Sequence, residues 1–110
     1  MTTTTPTIPI RKFDPRKGGV ERWFGTLETP IMEYLWDRPS EWVPVKSVHD
    51  ALDPDDRSYT TFMTALARLY VNGILEREKR GLAFFYRPIC SLPIFEEAQF
   101  SAIRQSMESN

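Results

Sequence analysis

The sequence predicts a mainly α (α+β) fold. The prediction rests on the order in which helical and strand-like spacings of apolar residues occur along the chain. Three segments between residues 27 and 72 repeat apolar residues at helical spacings of three and four. These are followed by two segments that alternate apolar and polar residues and that lie on either side of a glycine. One more helical segment comes after them. With 110 residues, of which 41% are apolar, the chain can bury one modest core. We therefore expect one domain over 23–90, between a flexible arm over 1–22 and a C-terminal helix over 91–110.

Composition narrows the class of protein. The formal net charge is -1, so binding to nucleic acid would depend on a local basic patch. Cys90 is the only cysteine, which rules out an intramolecular disulfide and suits a reducing compartment. The N-terminal residues lack the apolar core of a signal peptide, and no apolar run approaches the roughly 20 residues of a membrane span. We expect a soluble cytoplasmic protein with no membrane partner.

The arm over 1–22 is expected to be flexible because four consecutive threonines, three prolines and a Gly18-Gly19 pair interrupt any apolar period. It carries a short basic cluster, formed by Arg11, Lys12, Arg16 and Lys17. Such a cluster can lie along phosphates or in a minor groove. A solvated tail with no specific role is the commoner case for a charge run of this kind.

The first two helices are predicted from their apolar spacing. The first repeats apolar residues at Leu27, Ile31, Tyr34 and Leu35. It ends before Pro39, because the residue before a proline disfavours helical geometry. A short extended piece at Trp42 and Val43 precedes a second helix, whose apolar stripe is formed by Val45, Val48 and Leu52. His49 falls beside this stripe without a second histidine or cysteine at ligand spacing, so we expect no metal and no other cofactor.

The third helix is predicted to have two different faces. Ser58 fits its N-cap position, and Gly73 fits its C-terminal end. Large apolar residues share one arc, namely Tyr59, Phe62, Met63, Leu66, Leu69 and Tyr70. The opposite arc holds Thr60, Thr61, Thr64 and Arg68. Threonine is a poorer helix former than the long charged residues that usually face solvent, so this polar arc predicts a binding partner.

The remaining residues predict a basic hairpin and one last helix. Residues 74–89 alternate about a turn at Arg80-Gly81, and their positive charges are Arg77, Lys79, Arg80 and Arg87. From Ile94 to about Met107 the chain can form a helix whose apolar residues include Phe95, Phe100, Ile103 and Met107. A terminal helix with such a seam must bury it against the body of the domain or against a second subunit.

Three helices followed by a basic hairpin are the order of elements in a winged helix-turn-helix domain. The third helix of such a domain fits the major groove of duplex DNA, while the hairpin reaches the backbone or the minor groove. Threonine offers a donor, an acceptor and a methyl group on a short stem. The alternative is a winged-helix module that binds proteins without reading DNA sequence. We expect no enzyme, because nucleophile, phosphate-loop and metal-ligand motifs are missing.

Four stretches of the chain, in this order, resemble the penicillinase-repressor family of bacterial transcriptional regulators: LETPIMEYLW, VPVKSVHDAL, SYTTFMTALARLYVNGIL and EREKRGLAFFYRP. The resemblance covers about residues 24–89. It implies a homodimer that binds a partly palindromic operator on double-stranded DNA and blocks transcription, and a regulatory protein is a further partner to consider. The DNA contacts that it implies are Lys46, Arg57, Ser58, Thr60, Thr61, Thr64, Arg68, Lys79 and Arg80. The dimer contacts that we expect are Phe95, Phe100, Ile103 and Met107.

Overall fold

The computed structural model describes residues 7–52 and 58–108. The helices are α1 (Glu28–Trp36), α2 (Val45–Leu52), α3 (Tyr59–Val71) and α4 (Leu92–Glu108), with a short 3-10 helix at Gly19–Arg22. The strands are β1 (Val43–Pro44), β2 (Leu75–Arg80) and β3 (Ala83–Pro88), and they form one antiparallel sheet in the order β1-β3-β2. This architecture confirms the predicted mainly α, α+β winged helix-turn-helix fold with a C-terminal helix. Within the described ranges, no helix has the length and apolar character needed to cross a membrane.

The core lies between α1, α2, α3, the sheet and the start of α4. Its fully buried side chains include Ile31, Met32, Leu35, Val48, Phe62, Leu66, Leu69, Ile74, Leu75, Tyr86 and Phe95. Phe95 of α4 packs among the aromatic rings of the N-terminal half, with ring centroids 5.1 Å from Trp36 and 5.7 Å from Phe24. The first turns of α4 therefore complete the core of the domain.

Both ends of α3 form as the sequence predicts. Ser58 Oγ accepts a hydrogen bond from the Thr61 N–H at 3.3 Å, which satisfies one of the free donors of the first turn. Gly73 has a φ of 83°, and the N–H of Ile74 donates to the Leu69 carbonyl at 3.0 Å. This pattern is a Schellman motif, which requires the left-handed conformation that glycine adopts without a steric penalty. It lets β2 begin directly after α3.

The hairpin β2–β3 has a two-residue turn. Arg80 pairs with Ala83, which leaves Gly81 and Leu82 between the strands. Gly81 has a φ of 63°, as the first central residue of a II′ turn requires. The turn is thus centred one residue later than the predicted Arg80-Gly81. The strand β1 pairs with β3 through Val43 and Tyr86, so the extended piece predicted near Trp42 joins the sheet.

Residues 7–22, part of the predicted arm, pack against the domain. Gln99 of α4 is buried, and its Nε2 donates to the Pro9 carbonyl at 2.8 Å while its Oε1 accepts from the Arg11 N–H at 2.8 Å. The Arg11 guanidinium forms an ion pair with Glu28 at 3.1 Å, and Phe13 lies against the core. A buried amide needs partners, and this segment supplies them. Residues 1–6 of the predicted arm lie outside the described residues.

The predicted apolar seam of α4 divides between two environments. Phe95 is only 1% exposed and belongs to the core of its own chain, so little of its side chain is available for the dimer contact that we expected. Phe100 is half-buried, with its ring centroid 5.4 Å from that of Trp23. Met107 is 73% exposed, and Ile103 is half-buried. The helix packs into the core through Phe95 in its first turns, while Ile103 and Met107 in its later part leave apolar surface for a second subunit.

Candidate nucleic-acid interface

The buried stripe of α3 is narrower than the predicted apolar arc. It consists of Phe62, Ala65, Leu66 and Leu69, which are spaced i, i+3, i+4 and i+7. Three members of the predicted arc are exposed instead: Tyr59 by 46%, Met63 by 43% and Tyr70 by 38%. A helix that rests on one layer of neighbours buries a stripe of roughly 100°, and these three residues lie beyond its edge. The exposed surface of α3 is therefore wider and more apolar than predicted.

The polar side chains predicted for DNA contact do lie together. Thr60, Thr64 and Arg68 are exposed, and they line one open groove with Leu27, Thr61 and Ala65. Thr61 is half-buried, and its Oγ1 lies 3.1 Å from Ser58 Oγ, so these two hydroxyls hold the start of the helix. In the part of the chain that the structure describes, the Arg68 guanidinium has no ion pair or hydrogen bond. This face can accept an external anion or hydrogen-bonding partner.

Lys46 at the start of α2 already has a partner. Its Nζ lies 2.7 Å from the Asp50 carboxylate, and both side chains are exposed. This hydrogen bond raises the pKa of the Lys46 ammonium and lowers the pKa of the Asp50 carboxyl. A phosphate at Lys46 would have to compete with Asp50. Arg57, the other predicted contact near this position, lies outside the described residues.

The hairpin is less positive than its arginines suggest. Arg80 Nη2 lies 2.9 Å from a Glu78 oxygen, and Arg87 Nε lies 3.0 Å from a Glu76 oxygen. The first pair is formed by residues two apart on one strand face, and the second by directly opposed residues of β2 and β3. Lys79 is exposed and has no ion pair within the described ranges. Among the predicted contacts on the hairpin, Lys79 is thus the freer cation and Arg80 is partly neutralised.

Arg77 has a role that the sequence did not predict. Its guanidinium carbon lies 4.1 Å from the ring centroids of both Tyr70 and Phe84. The guanidinium therefore connects the end of α3 to β3 through two cation–π contacts. The pairing register of β2 and β3 could have predicted this contact. Arg77 opposes Tyr86, and Phe84 is its diagonal neighbour on the same face of the sheet. This contact fixes the hairpin relative to α3.

Comparisons with known proteins agree with this geometry. A family model described as the penicillinase repressor matches residues 24–109. Two curated relatives are each named transcriptional regulator BlaI, from Mycobacterium tuberculosis strains CDC 1551 / Oshkosh and ATCC 25618 / H37Rv. Each is 38% identical to this chain over 66 residues, which cover 59% of this chain and 47% of the relative. The chain spans about half the length of the curated relatives it matches.

Proposed function

This chain belongs to the penicillinase repressor family, and from that membership we propose that it represses transcription by binding double-stranded DNA through α3 and the hairpin β2–β3. The observation that carries this proposal is the exposed face of α3, where Thr60 and Thr64 lie beside Arg68. An exposed arginine that has no ion pair among the described residues suits a phosphate or a guanine edge, and hydroxyls on short stems suit base edges.

In the proposed binding mode, the threonines and the cationic side chains have different roles. With α3 in the major groove, Thr60 and Thr64 contact bases and determine the sequence that is bound. Arg68 and Lys79 provide most of the affinity by neutralising phosphates. Ser58 and Thr61 set the start of the helix, and Lys46, Arg57 and Arg80 add backbone contacts around it.

We further propose that the chain acts as a homodimer on a partly palindromic operator. In a twofold dimer, the two copies of α3 would enter successive major grooves about one helical turn apart. Ile103 and Met107, in the later part of α4, offer apolar surface for the second copy, while Phe95 does not because it is buried. The cytoplasm is the compartment in which such a protein would act.

Selection of bound genomic fragments tests this function. The full chain is mixed with fragmented genomic DNA, and the bound fraction is sequenced. The control is a triple variant, with Thr60, Thr64 and Arg68 all changed to alanine, whose fold should persist because these side chains are exposed. We expect the wild type to enrich an inverted repeat and the variant to lose it. Equal recovery without a motif by both proteins would refute the proposal and favour a module that binds proteins.

Asp50→Asn is expected to strengthen DNA binding. The change removes a negative charge beside the proposed DNA surface and releases Lys46 from its ion pair. Because this ion pair is exposed to solvent, the gain in affinity should be no more than a few-fold at low salt and should shrink as salt rises. Titration of the selected fragment by fluorescence anisotropy measures it. Glu97→Gln removes a carboxylate that pairs with Arg104 on α4 and should leave the affinity unchanged. If Asp50→Asn binds as the wild type does, Lys46 does not contact the DNA.

A further inference from the structure

Exposed apolar side chains concentrate on the surface that we propose for DNA. Among the described residues, nine large apolar side chains are exposed, and six of them lie on α3 or the hairpin. Scattered exposed apolar residues are ordinary on a protein surface. These six side chains lie on two adjoining elements, and we refer to them together as the exposed apolar patch.

Met63 is the member of this patch best placed to meet bases. It lies in the first half of α3, three residues after Thr60 and one before Thr64. Tyr70 and Phe84, by contrast, hold the Arg77 guanidinium, and Val71 is the last residue of the helix. At 43% exposure, the Met63 side chain is not part of the core stripe. Its unbranched thioether can adapt its shape to an irregular surface.

The neighbours of Met63 favour DNA over a protein as the occupant of this face. An apolar protein surface seated on Met63 would also cover the neighbouring hydroxyls of Thr60 and Thr64, which would lose their hydrogen bonds to water. The major groove offers both kinds of contact at once. It presents acceptors and phosphates to the polar groups, and it presents the thymine C5-methyl group to an apolar side chain.

We propose that Met63 is a specificity-determining residue that selects thymine through its C5-methyl group. This inference rests on the proposed function and deepens it, because it names the base feature that the apolar flank of α3 reads. Hydroxyls and guanidinium groups distinguish bases by hydrogen bonds. Met63 adds a contact that depends only on the methyl group and is the same at any salt concentration.

Replacing thymine by uracil in the DNA tests this assignment, because the two bases differ only in that methyl group. The probe is the fragment selected by the wild type, synthesised either with thymidine or with deoxyuridine at every thymine position. At about 0.8 kcal/mol for a buried methyl-sized group, the wild type should bind the uracil form about fourfold more weakly for each methyl group contacted. Met63→Ala should prefer thymine about fourfold less than the wild type does, while any methyl contacts made by Thr60 or Thr64 remain.

Ile94→Ala is the matched control. Ile94 is 55% exposed in the first turn of α4, outside α3 and the hairpin, so its truncation also removes an exposed apolar side chain without touching the proposed DNA surface. This variant should keep the full preference for thymine. The inference is overturned if the wild type binds both forms equally, if Met63→Ala keeps the full preference, or if Ile94→Ala loses it. Failure to select any fragment would refute the proposed function itself, and this inference with it.

Discussion

Phe95→Ala is expected to lower the free energy of unfolding by about 3 to 5 kcal/mol, because it empties a closely packed aromatic site. The Phe95 ring lies within 6 Å, centroid to centroid, of Trp23, Phe24 and Trp36. None of these rings can fill the space without disturbing its own contacts. Urea denaturation followed by tryptophan fluorescence measures the loss. Phe95→Leu, which leaves a smaller void, should fold with a smaller loss and keeps the test open if the alanine variant does not fold.

Met107→Ala separates a core role from an intersubunit role. Met107 is on the same helix but is 73% exposed, so its truncation should not change the unfolding of the monomer. Any effect on a dimer would depend on protein concentration, because association stabilises the folded state by mass action. The loss caused by Phe95→Ala should be the same at every concentration. If Phe95→Ala lowers the free energy of unfolding by less than about 1 kcal/mol, or only when dimers form, Phe95 is not a core residue and the dimer role is favoured.

Local patterns were sufficient for most of the fold. The ends of α3 follow from Ser58 and Gly73, whose capping depends on bonds to residues nearby in the chain. The packing of residues 7–22 could not be predicted in this way. It depends on Gln99, which is some 90 residues away from Pro9 and is polar, so nothing in its neighbourhood marks it as buried. Contacts between distant segments need the tertiary arrangement before they can be recognised.

In the candidate site, too, some features follow from local patterns and others depend on the tertiary arrangement. The grouping of Thr60, Thr64 and Arg68 follows from helical geometry alone, and the structure places them on one groove. Their roles remain predictions. The exposure of Met63 could not be predicted, because the width of the buried stripe depends on how much of α3 its neighbours cover. Likewise, Lys46 and Arg80 look like free cations in the sequence, but carboxylates on neighbouring positions pair with them.

Arg68→Ala is expected to weaken binding of the selected fragment by about five- to 150-fold, the range that corresponds to 1 to 3 kcal/mol for a lost contact to DNA. Arg68 needs no release from an internal partner in the described part of the chain, so its whole charge is available to the DNA. If that charge meets a phosphate, the slope of log K against log salt should also fall by about 1 in magnitude. Anisotropy titrations at several salt concentrations measure both quantities.

Two further variants show which property of Arg68 matters. Arg104→Ala removes an exposed arginine of α4 that pairs with Glu97, and it should change neither the affinity nor the salt slope. Arg68→Lys keeps the charge but loses the planar fork that binds a guanine edge through two hydrogen bonds. A lysine variant that regains both slope and affinity would identify a phosphate contact, whereas one that regains only the slope would identify base reading. If Arg68→Ala binds as the wild type does, α3 does not face DNA through this residue, and the proposed binding mode is wrong.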